Sequence, residues 1–150
     1  MRATCFAHGA VAADSGRAAV GGLVAHESGA VRAQVSQNIG LASEAEVQIH
    51  AARAVLEAAR DAGATDVTLQ IDAPWLVRAL TAEERTEAPG LVARLDTVRN
   101  LLRGFDTGTV EATSPEQSSA AAALAEAALA APVVLPPPEP LPPASSAAGP

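Results

Sequence analysis

One stretch, Ser43 to Asp72, changes its hydrophobic period partway and so constrains the fold more than any other part of the chain. Val47, Ala51, Ala54, Val55, Ala58 and Ala62 follow the rhythm of one helix face, with Gln48, Arg53, Glu57 and Asp61 marking the wet side. Gly63 supplies a stop. From Asp66 the period becomes two: Val67, Leu69 and Ile71 alternate with Thr68 and Gln70 as in a strand. A new helix then starts at Asp72-Ala73-Pro74-Trp75. A long helix delivered straight into a buried strand demands a sheet with helices packed on it.

The segments on either side fit that demand. Ala3–Ala10, Ala18–His26 and Ala30–Gln37 read as three strands joined at Asp14-Ser15-Gly16 and Glu27-Ser28-Gly29, with Val31, Ala33 and Val35 on one face of the third. Beyond Trp75 the spacing predicts a short helix to Leu80, a polar connection Thr81–Pro89 and a helix over Gly90–Arg103. A strand at Thr107–Thr113 and an alanine-rich helix from about Glu116 to Ala131 follow. That last helix is too short, and with Glu126 too polar, to span a membrane. Residues 132–150, rich in Pro, Ala and Ser, cannot bury a core and are expected to form a disordered or polyproline-II tail, a spacer or a ligand for an aromatic-lined groove. The domain is thus expected over residues 1–131.

Composition narrows the chemistry. With two Phe, one Trp and no Tyr, the core has to be built from Ala, Val and Leu, so helices and sheet must approach closely. Cys5 is the lone cysteine and nothing at the amino terminus marks export, which predicts a reducing, cytoplasmic setting. A net charge of −7 with ten arginines and no lysine predicts weak, salt-sensitive contact with a phosphate backbone. Gly21-Gly22 is too short for a phosphate-cradling loop, and His26 and His50 lack metal-ligand spacing. Arg94, Arg99 and Arg103 lie among acids on one helix and read as a salt-bridged surface. Cys5 has no histidine beside it and reads as a buried thiol.

Four short motifs, His8-Gly9-Ala10, Ser43-Glu44-Ala45-Glu46, Ile71-Asp72-Ala73-Pro74 and the terminal Ala121–Leu129 run, resemble the punctuation of type 1 ribonuclease H domains. The resemblance implies an α/β fold, a five-stranded mixed sheet with helices on both faces. It also implies a site in which four carboxylates hold two divalent cations, about 4 Å apart, that cleave the RNA strand of an RNA–DNA hybrid. Carried over residue by residue, the helix Glu falls on Glu46 and the fourth-strand Asp on Asp72, the two expected metal ligands. The first-strand Asp falls on His8 and the last-helix Asp on Ala122, with Glu126 one turn on as a substitute candidate.

Two of four acids are thereby replaced. The implied reading is a catalytically degenerate domain that binds or scaffolds nucleic acid or an unidentified protein, with RNA–DNA hybrid or single strands as weak partners and no cofactor. The alternatives are an active endoribonuclease using Mg²⁺ or Mn²⁺ in an altered site, or an interaction protein working through its Pro-rich tail. The retained acids also have structural explanations: Ser43-Glu44-Ala45-Glu46 is a capping box, and Asp72 before Ala73-Pro74 reads as an N-cap.

Overall fold

The computed structural model describes residues 1–81 and 89–130; most of the Thr81–Pro89 connection and the 132–150 tail lie outside them. The elements in chain order are β1 (Arg2–Val11), β2 (Arg17–His26), β3 (Val31–Leu41), α1 (Glu44–Asp61), β4 (Asp66–Ile71), α2 (Pro74–Thr81), α3 (Pro89–Arg103), β5 (Thr107–Ala112) and α4 (Ser119–Ala130). They build one five-stranded sheet in the order β3-β2-β1-β4-β5. The β1-β2-β3 meander is antiparallel, whereas β4 and β5 run parallel to β1, so β1 is the strand at which the direction of pairing changes.

Glycines Gly21 and Gly22, neighbours on β2, show how an alanine-and-valine core closes. A Cβ on Gly21 would collide with the backbone of Ala121 and Ala125 in α4, and one on Gly22 would press on Val55 of α1 at 2.9 Å. Successive residues of a strand face opposite ways, so α1 and α4 cover opposite faces of the sheet. The glycine pair is a seat for two helices, not a ligand loop. Val20, Val24, Val55, Leu56, Leu69 and Ile71 are fully buried between these layers, and α2 is tied to α3 by Arg99, whose guanidinium donates to the Ala79 carbonyl at 2.6 Å.

Helix α1 begins and ends where its sequence says. Ser43 accepts from the Glu46 amide while the Glu46 carboxylate accepts from the Ser43 amide, completing the capping box. At the other end Gly63 adopts φ +88° and the Ala64 amide returns to the Ala59 carbonyl. Its buried face corrects the expectation twice: Gln48, expected on the wet side, is 7% exposed, and Ala62, expected on the apolar face, is the exposed C-cap. β3 also departs from the reading. It continues to Leu41 because the strand bulges past Ile39 and Gly40 takes φ +78°. A second irregularity, at Arg32, turns Val31 away from the core, leaving it 52% exposed. No helix among the described residues is long and apolar enough to cross a membrane.

Candidate functional site

The parallel strands β1 and β4 both end at the same edge of the sheet, and three chain segments put polar groups there. β1 delivers His8, opposite Gly21 and so on the α4 face. β4 hands over directly to Asp72. The turn before α4, set up when the Gln117 amide bonds the Ser114 hydroxyl, delivers Ser118, which is 1% exposed. The His8 Nδ1–H donates to Asp72 Oδ2 at 2.9 Å, and the Ser118 hydroxyl donates to the same oxygen at 3.0 Å. One carboxylate oxygen thus receives two donors from residues 64 and 46 positions away.

The electrostatics of this group agree from both sides. The hydrogen bond to Asp72 holds the His8 imidazole above its usual range against the opposing effect of burial, with added attraction from Asp72, Glu126 and Glu44. The bond from His8, followed by that from Ser118, holds the Asp72 carboxyl below its usual range although burial pushes it up. His8 Nδ1 and Asp72 Oδ2 lie 2.9 Å apart with side chains 22% and 12% exposed, an ion pair whenever the imidazole is protonated.

From the α1 side the residue brought to β1 is Gln48. Its amide accepts from the Gly9 N–H at 3.3 Å, donates to the Gly9 carbonyl at 3.2 Å, and donates to Glu44 at 2.8 Å. Gly9 allows the approach, since a Cβ there would stand 2.9 Å from the Val47 backbone. Glu46 is not brought to this junction: it caps α1 and pairs with Arg94 of α3 at 3.2 Å, its pKa lowered by the Ser43 hydrogen bonds and then by Arg94. Asp72 does not cap α2 either. The Ala73 carbonyl accepts the first helical amides, from Leu76 and Val77, while the Asp72 side chain turns to His8 and Ser118. Glu126 is exposed on α4 and reaches His8 only through its field. Ala122 lies one turn beyond Ser118, whose carbonyl accepts its amide.

Sequence reasoning missed Gln48 and Ser118. A stricter count along α1 signals the first, because Gln48 lies one turn before Ala52 and two before Val55 on the buried stripe. Nothing local signals the second.

This donor set is a poor fit to the cation pair that the sequence resemblance implies. Hard divalent ions take several carboxylate oxygens, whereas here Asp72 Oδ2 already accepts from an imidazole and a hydroxyl, and the α1 residue at β1 is the amide Gln48. Among the described residues no group of three or more His, Cys, Asp or Glu side chains is arranged to hold a metal ion.

The remaining histidines stand apart from the junction. His26 bonds Ser28 in the β2–β3 turn. His50 accepts from Arg53 at 3.5 Å, and burial, then the neighbouring arginines, lower its pKa. The Cys5 thiol is buried and pushed up to about 12 by desolvation.

With this geometry in place, comparison with known proteins is informative. A family model described as reverse transcriptase-like matches residues 6–128. Ribonuclease HI of Halobacterium salinarum is 32% identical over 109 residues, which are 73% of this chain and 55% of that protein, so the chain spans about half the length of this curated relative. The crystal structure of RNase H1 from the same archaeon superposes with a TM-score of 0.82 at 32% identity, covering 86% of this chain and 98% of that one. The N-terminal RNase H domain of a Mycobacterium tuberculosis protein, solved as a fusion with maltose binding protein, gives 0.81 at 22% identity over 85% of this chain and 98% of that one, a likeness of fold alone.

Proposed function

Because the chain belongs to the reverse transcriptase-like family and carries a ribonuclease H-like domain, we propose that it binds RNA–DNA hybrid without cleaving it by the two-cation route. The observation that carries this reading is the state of Asp72. Its Oδ2 accepts from both His8 and Ser118, and α1 brings the neutral amide of Gln48 to the Gly9 backbone beside His8. A cation arriving at Asp72 finds Oδ2 already holding two donors and the His8 ring, which carries a positive charge when protonated, beside it. The chain's own residues here hold a proton at His8 and lock the ends of β1, β4 and α4 together, which is work for a binding or scaffolding surface.

Binding is expected to be weak. The net charge of −7 opposes the phosphate backbone, and Arg53, Arg60, Arg94 and Arg99 are paired with Glu57, Asp61, Glu46 and Asp96. Fluorescence anisotropy with a labelled hybrid tests the reading. Association in EDTA, falling steeply with salt and unchanged by Mg²⁺, is expected; binding that appears only when Mg²⁺ or Mn²⁺ is added contradicts it. The 32% identity to a ribonuclease HI favours a second reading, a divalent-metal-dependent endoribonuclease with an altered site, and metal-dependent cleavage of the hybrid is the outcome that reading requires.

A further inference from the structure

Strand β3 forms one edge of the sheet and, among the described residues, pairs only with β2. It is 11 residues long and has neither proline nor lysine, with Arg32 its single charge. Long edges without proline or lysine are templates for another strand, and the guards on this one are Arg32 and two bulges. Two of the three exposed large hydrophobics among the described residues, Val31 at 52% and Leu41 at 76%, lie at its two ends.

Those ends share a face. Val31, Ser36 and Leu41 stand opposite Ala25, Gly21 and Arg17 of β2. These partners are an even number of residues apart and so point the same way. The two register shifts skip Arg32 and Ile39 of β3, which lets residues of unlike parity come onto one side. Ser36 marks that side as the α4 face, because its hydroxyl donates to the Leu124 carbonyl at 2.8 Å. Val31 and Leu41 are also equidistant from Ser36 along the strand.

We propose that two copies of this chain associate by antiparallel pairing of their β3 edges about a two-fold axis at Ser36, joining two sheets into one of ten strands. In that register Val31 of each copy lies opposite Leu41 of the other and Gln34 opposite Asn38, so the apolar ends meet and amides meet amides. A strand of this length offers roughly 35 Å of edge at about 3.4 Å per residue. With a layer about 10 Å thick, roughly 350 Å² is covered per copy, less than half of the ~800 Å² of a standard stable interface. The dimer is therefore reversible.

Sedimentation velocity of the full chain from micromolar to near-millimolar concentration tests this. A monomer–dimer equilibrium is expected, weakened roughly tenfold by Val31→Lys or by Leu41→Glu. The double variant carrying both substitutions places opposite charges across each pair and recovers the dimer. Both positions are exposed, so thermal melts of all three variants should match the parent. A chain that stays monomeric throughout, a dimer indifferent to the single substitutions, or a double variant no better than the singles overturns the proposal.

Discussion

At the scale of single residues the account turns on His8 and Asp72. Replacing His8 with Ala leaves a part-buried carboxylate with Ser118 as its one remaining side-chain donor, which costs about 1–3 kcal/mol. The pH dependence has a definite sign. The raised pKa of His8 makes its contribution fully present below the ordinary value of 6.5 and lost as pH rises through the folded value. The lowered pKa of Asp72 makes its contribution present above the ordinary 3.8 and lost as pH falls through the folded value. The stability gap between the parent and His8→Ala, measured by urea unfolding, should be widest between pH 4 and 6.5 and should close at alkaline pH; a gap independent of pH would mean that no ion pair forms. Asp72→Ser separates the pair from a cap. Serine is a good N-cap, so near-neutral behaviour is what a capping role demands, whereas the bonds to His8 and Ser118 predict a loss close to that of His8→Ala.

Among the elements, α1 and the β2 glycines have the clearest consequences. Ser43→Ala removes half of the capping box and should lower stability by about 1 kcal/mol, read from chemical denaturation, with no effect of divalent cations. Gly21→Ala pushes a methyl group into the α4 backbone and should cost about 1–3 kcal/mol, with loosened hydrogen-exchange protection in α4 before α1. These elements also mark how far the sequence can be read. The α1–β4 unit is legible because a cap, a glycine stop and a change of period all lie within thirty residues. The end of β3 is not, since Asn38 to Gly40 look like a turn and the bulge that keeps them in the sheet depends on β2 beside them. Gln48 is missed for a related reason: its polarity suggests solvent, and only contact with the Gly9 backbone gives its amide buried partners. Asp72 looks like a cap from its neighbours alone, and its true partners are His8 and Ser118, which the fold returns from distant parts of the chain.

For the molecule as a whole, the ribonuclease H-like sheet is retained with its meander, its parallel β1-β4-β5 unit and helices on both faces. At the strand ends where the sequence resemblance implies a cluster of acids, Asp72 accepts from His8 and Ser118. A fold can persist while the chemistry at its site changes, because packing depends on the buried Val, Leu and Ala positions and not on the charges at the strand ends. Cleavage of an RNA–DNA hybrid labelled on the RNA strand, assayed with Mg²⁺ and separately with Mn²⁺, tests this most directly. The account predicts product no greater than in EDTA for either ion. Metal-dependent cleavage that disappears in Asp72→Asn would contradict it.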